Sequence, residues 1–191
     1  MAASSGHCSV QHIEVLKLLL GNADSLELKR EFMPAPGLAS GVPKGVIVEL
    51  LGAARTEWFL EVLKINADFR VFWCEREQRI LPTAIQQRGV DLERITFGLL
   101  ADDLYQPLRR VVQSQLYQVI LAPNEFSELR IFKAFQLLTE KTNATLFLLG
   151  GKKPSAAWPI SLQLDIKRSK NEAAFEVGVI KQKHGRTVPQ V

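Results

Sequence analysis

Val46-Ile-Val-Glu-Leu-Leu-Gly52 runs straight into Ala53-Ala-Arg-Thr-Glu-Trp-Phe59, and the fold is decided where the two meet. The six residues before Gly52 are mostly apolar, with a high share of β-branched side chains. They are too few for a stable helix, so they read as a buried strand. From Thr56 to Phe69 the period changes, with Trp58, Phe59, Val62, Leu63 and Ile65 covering one wide side of a helix. A buried strand followed directly by an amphipathic helix opens a βαβ unit.

Downstream the alternation repeats. Strands are expected at Arg70 to Cys74, Arg94 to Phe97, Gln118 to Ala122 and Thr145 to Leu149. Helices are expected at Leu81 to Gln87, Asp102 to Gln113 and Glu125 to Lys141. Leu104, Leu108, Val111 and Val112 share one helical face, as do Ile131, Phe135 and Leu138. The last forty residues switch to period two: Leu162, Leu164 and Ile166 alternate with polar residues, then Phe175, Val177 and Val179 do the same. Joined by Ser169-Lys-Asn-Glu172, these make a hairpin that extends or flanks the sheet. The expected class is α/β, a mainly parallel sheet flanked by helices, with right-handed crossovers and a C-terminal antiparallel hairpin.

Upstream, Met33 to Gly45 holds three prolines and three glycines in thirteen residues and reads as a loop or linker. Before it, Ile13, Leu16, Leu19 and Leu20 mark an amphipathic helix from Val10 to Leu20, suited to capping the domain or docking on a partner. With 191 residues, 47% hydrophobic and 23% charged, the chain has the composition of one ordinary globular domain. No apolar run approaches the ~20 residues of a membrane span, and the first residues have neither a basic nor an apolar leader region, so a cytoplasmic setting without a membrane partner is expected. Cys8 and Cys74 form no metal-binding pair, and His7, His12 and His184 are dispersed. No metal site, cofactor or nucleophilic triad is expected.

A glycine at the end of the first strand invites comparison with the phosphate loop G-x-x-x-x-G-K-[ST]. Gly52 matches its first position, but Glu57, Trp58 and Phe59 stand where Gly, Lys and Ser/Thr belong. Trp58 and Phe59 are expected to fill the space a nucleotide would take.

Several segments nevertheless resemble the RecA superfamily. Pro36 to Gly52 is similar to the segment leading into that family's phosphate loop, Val71-Phe-Trp-Cys-Glu75 to its next strand, and Arg88 to Ile95 to the segment before its third core strand. The resemblance places Glu75 at the family's water-activating glutamate, and Val119-Ile-Leu-Ala-Pro123 at its magnesium-binding strand, where the aspartate is missing. Leu162 to Arg168 and Val177 to Lys183 are similar to the family's paired strands after its DNA-binding loops. Lys181 and Lys183 match two lysines that reach a neighbouring subunit's nucleotide. The connection from Gly150 to Ile160 is much shorter than RecA's. The likeness covers roughly residues 36 to 183. It implies residues 1–35 as an N-terminal helix and linker and residues 36–191 as a RecA-like core with a basic hairpin.

Within the superfamily the chain resembles the ImuA and SulA branch, ImuA most of all. That resemblance implies a non-catalytic adaptor of the SOS response to DNA damage that assembles translesion-synthesis components. The partners implied are an ImuB-like Y-family protein, RecA, or both, with DNA as a further contact. A SulA-like division inhibitor binding FtsZ and a RecA-class DNA-dependent ATPase are the alternatives. Gly52 and Glu75 are then vestiges of a nucleotide site.

Residues 152–191 carry eight Lys or Arg against three Asp or Glu, while residues 1–151 carry sixteen against seventeen. Lys152, Lys153, Lys167, Arg168, Lys170, Lys181, Lys183 and Arg186 are therefore the candidate partner or DNA contacts. A solvated lysine-rich face accounts for the same pattern.

Overall fold

The computed structural model describes residues 31–77, 80–100, 103–169 and 174–183. The chain divides between Glu31 and Phe32, and the fold below is that of the second unit. The proposed helix from Val10 to Leu20 lies outside the described residues.

Strands of Val, Ile and Leu alternate with amphipathic helices, and that pattern folds as the periods require. The elements are β1 (Phe32–Ala35), β2 (Leu38–Pro43), β3 (Ile47–Leu51), α1 (Arg55–Ile65), β4 (Val71–Glu75), α2 (Pro82–Gln87) and β5 (Ile95–Leu99). They continue with α3 (Tyr105–Gln113), β6 (Val119–Pro123), α4 (Leu129–Thr142), β7 (Thr145–Leu149), β8 (Leu162–Arg168) and β9 (Phe175–Gln182). Seven strands form one sheet in the order β5-β4-β6-β7-β3-β8-β9. All neighbours pair in parallel except β8 and β9, whose antiparallel hairpin extends the sheet beyond β3.

Side chains on successive strand positions point to opposite faces, and two cores result. Val48, Leu50, Val71, Trp73, Val119, Leu121, Phe147 and Leu164 meet Trp58, Phe59 and Leu63 of α1 and Ile85 of α2. Ile47, Phe72, Cys74, Ile120, Ala122 and Leu146 meet Leu108 and Val112 of α3 and Phe132 and Phe135 of α4. The helices divide this way because the chain steps toward β5 through α1 and α2 and back through α3 and α4. A single crossover hand puts the two directions of travel on opposite faces.

One expectation is overturned. Met33 to Gly45 is not a loop or linker: β1 and β2 form an antiparallel ribbon that packs Met33 and Val42 into the first core. Its prolines are tolerated because a two-stranded ribbon has a free edge on both sides, where a missing N–H costs nothing. Gly37 makes the turn at φ +73°, and a register shift between Met33 and Ala35 absorbs the irregularity.

Candidate functional site

In a parallel sheet, ligand sites form beyond the carboxyl ends of strands whose connections diverge. Here β4 leads to one side and its neighbour β6 to the other. That gap is bridged by an ion pair, Arg76 Nε to Glu125 Oε2 at 2.7 Å. Glu75 ends β4, where Trp73 Nε1 donates to its Oε1 at 3.1 Å and the Ile80 amide to its Oε2 at 3.3 Å. It lines a small cleft with Ile80, Pro82, Phe97, Gly98 and Leu99.

Gly52 lies at a different place. β3 and β4 are three strand spacings apart in the sheet, about 14 Å, and Glu75 and Gly52 line separate pockets. Gly52 has φ +87°, and a β-carbon there would stand 2.1 Å from the Ile166 carbonyl oxygen and 2.7 Å from Asp165 Oδ1. The turn is therefore pressed against β8. The Ala54 amide, one that a phosphate loop would offer to an anion, donates to the Ile166 carbonyl at 3.2 Å.

Helix α1 begins only three residues after Gly52, and its first turn presents a carboxylate. Glu57 pairs with Arg88 at 3.2 Å and with Arg168. Trp58, at the position of the phosphate-loop lysine, is fully buried and donates from Nε1 to the Pro36 carbonyl at 2.8 Å. Phe59 packs edge-on against Trp73 and Phe147, at centroid distances of 5.5 and 5.1 Å. Both rings thus belong to the core beneath the sheet. The crevice beyond Gly52 is lined instead by Leu51, Arg55, Lys152, Asp165 and Ile180, and remains open.

A residue not singled out from the sequence organises this rim. Glu49, in the middle of β3, is only 1% exposed. Its carboxylate accepts from Asn124 Nδ2 at 2.5 Å, the Ser155 amide at 2.9 Å and Gln163 Nε2 at 2.6 Å. Four segments, β3, the end of β6, the 150–160 connection and β8, are joined through one side chain. The signal was present as a lone acid in an apolar strand. Asn124, beside the position of the missing aspartate, is turned inward to this network.

The basic residues do not form one patch. The β8–β9 register puts Lys167 opposite Glu176 and Lys181 opposite Gln163 on one face of the sheet, while Arg168 lies opposite Phe175 on the other. Lys167 pairs with Asp165 at 3.0 Å, and Arg168 is held by Glu57 and lies over the Phe175 ring. Lys181 Nζ donates to the Ala157 and Trp158 carbonyls at 3.1 and 3.4 Å. Lys183 Nζ sits 4.3 Å from the centroid of the Trp158 ring. Lys152 and Lys153 are exposed on the connection after β7. Lys170 and Arg186 lie outside the described residues. Burial lowers the ammonium pKa of both Lys181 and Lys183. For Lys181 the nearby Lys183 charge adds to this, while Glu49 opposes it; for Lys183, Glu140 opposes it.

Among the described residues no three His, Cys, Asp or Glu side chains converge as metal ligands, and no helix is long and apolar enough to cross a membrane. Compared with protein-family models and with curated proteins, the chain matches none.

Proposed function

We propose that this chain is a non-catalytic, RecA-like adaptor of the DNA-damage response, similar to ImuA. In this reading it works in the cytoplasm and assembles translesion-synthesis components by contact with an ImuB-like Y-family protein, with RecA, or with both, with DNA as a further contact. The observation that carries the non-catalytic part is the first turn of α1. A helix N-terminus attracts anions through its free amides and its dipole. Here a protein carboxylate, Glu57, occupies that turn and is fixed by Arg88 and Arg168. The adjoining Trp58 is sunk in the core, where a lysine would have to reach out to phosphate.

The protein-contact part is supported by the free edge of the sheet. Among the described residues β5 has no neighbour on its outer side, and it exposes Phe97 (40%) and Leu99 (63%), with Leu81 (67%) nearby. Apolar groups along an open strand edge are the usual mark of a surface that a partner covers. Thermal melts with and without millimolar Mg-ATP test the first part: no rise in melting temperature and no phosphate release are expected. Binding at 100 times its dissociation constant would stabilise the fold by about 2.7 kcal/mol, so a shift of several degrees would contradict the reading.

A further inference from the structure

Trp158 is an exposed indole in a connection that is otherwise pinned down. The turn that carries it is held by hydrogen bonds from the Ile160 amide to the Ala157 carbonyl at 3.3 Å and from the Ser161 amide to the Ile47 carbonyl at 2.9 Å. Lys181 clamps the same turn through the Ala157 and Trp158 carbonyls. Pro159 and Ile160 beside it are buried, yet the Trp158 side chain leaves the residue 48% exposed. The two other tryptophans, Trp58 and Trp73, are fully buried. A rigid turn holding a large aromatic surface in water is costly unless something covers the ring.

Cations gather around that ring. Lys183 Nζ lies 4.3 Å and Lys133 Nζ 5.5 Å from its centroid. Neither lysine forms an ion pair within the described residues. Glu140 acts on Lys183 only from a distance, and its carboxylate is engaged by Gln136 Nε2 at 3.0 Å. At the other end of the same connection Lys152 lines the crevice with Ile180, and Lys153 is exposed beside it. Ammonium groups thus lie near both ends of the connection, its own Lys152 and Lys153 at one end and Lys133 of α4 and Lys183 after β9 at the other, where Trp158 adds an aromatic platform.

We infer that the surface formed by Trp158, Lys133 and Lys183 binds single-stranded nucleic acid, with an unpaired base stacked on the Trp158 indole and flanking phosphates on the lysines. An acidic protein surface would use the lysines but leave the indole bare; a nucleotide strand uses both, because every base has a stacking face and every linkage a charge. Duplex is disfavoured because its bases are already stacked. Lys181 is a positioning residue here: it holds the turn rather than the ligand. The inference deepens the DNA contact allowed in the proposed function and rests on that part of it alone, not on any protein partner.

The test uses the full chain and a labelled oligo(dT) of about 15 nucleotides, read by fluorescence anisotropy at low and moderate salt. Trp158→Ala is expected to weaken binding roughly tenfold, from the loss of one stacked base. Trp158→Phe should keep part of the affinity. Lys133→Gln with Lys183→Gln should reduce the slope of log affinity against log salt by roughly one, from the loss of up to two phosphate contacts. In the wild type, iodide should quench the exposed tryptophan emission better than caesium, and oligo(dT) should protect it. This arm does not depend on any variant folding. Absence of oligo(dT) binding, equal binding by Trp158→Ala, equal affinity for duplex, or equal protection by polyglutamate would each overturn the inference. None of those results bears on capture of RecA or a polymerase component, so the two readings fail separately.

Discussion

A carboxylate inside a strand of Val, Ile and Leu is sustained only if its oxygens are met, and at Glu49 they are met three times. Glu49→Ala would take the acceptor from the half-buried Asn124 and Ser155 donors and leave buried Gln163 Nε2 only the Ser155 carbonyl. We expect a loss of about 3 kcal/mol, measured as the shift in urea midpoint. Glu49→Gln should cost less but not nothing, because its amide sets a donor against a donor; an unchanged midpoint for Glu49→Ala would mean the network is not a brace. Cys74 makes a second prediction at this scale. Burial at 1% exposure pushes its thiol up to about 12. In the unfolded chain that thiol ionises near pH 8.5. Its contribution to stability is therefore fully present below about pH 8.5 and is lost as pH rises toward about 12, by up to about 1.4 kcal/mol per pH unit. Stability measured from pH 8 to 11 should fall less steeply in Cys74→Ala than in the wild type; parallel curves would contradict the burial argument.

Elements are joined by a few groups whose removal should be felt across the sheet. The Arg94 guanidinium donates to the Leu63, Asn66 and Phe69 carbonyls, closing the C-terminal end of α1. Burial lowers its pKa, opposed by Asp91 and Asp68. Arg94→Ala should cost about 2 kcal/mol by denaturant unfolding, from the exposed helix end and lost charge-assisted bonds; a shift within about 0.5 kcal/mol, the range of ordinary surface changes, would show that water caps the end equally well. Gly52→Ala is expected to be more damaging, since the left-handed backbone and the approach to Ile166 both exclude a β-carbon. At this scale the alternation of periods two and 3.6 made the strands from β3 onward and the four helices of the described residues legible, including the β8–β9 hairpin. Boundaries slipped where caps are weak: α4 begins at Leu129 rather than Glu125. The β1–β2 ribbon was hidden because Pro and Gly, the residues that end central strands, are acceptable in a ribbon with free edges. Glu49 and Trp158 were read as strand and connection because periodicity reports which side a residue faces, not what it meets there.

Across the whole molecule, the basic excess of the C-terminal fifth reads as one surface in the sequence and resolves into two faces of a sheet. Part of it is already neutralised by Asp165 and Glu57. The candidate nucleotide positions fare similarly, with Gly52 and Glu75 at separate pockets. What stays open is the β5 edge with Phe97 and Leu99 and the Trp158 surface, on different parts of the sheet. The proposed adaptor role would use both, one for protein and one for nucleic acid. The most direct test is affinity capture of the tagged chain from damage-treated cells, beside a Leu99→Asp variant whose fold is checked by thermal melt. RecA or a Y-family polymerase component is expected with the wild type, and its loss with the variant. Capture of neither, or of FtsZ in their place, would contradict it.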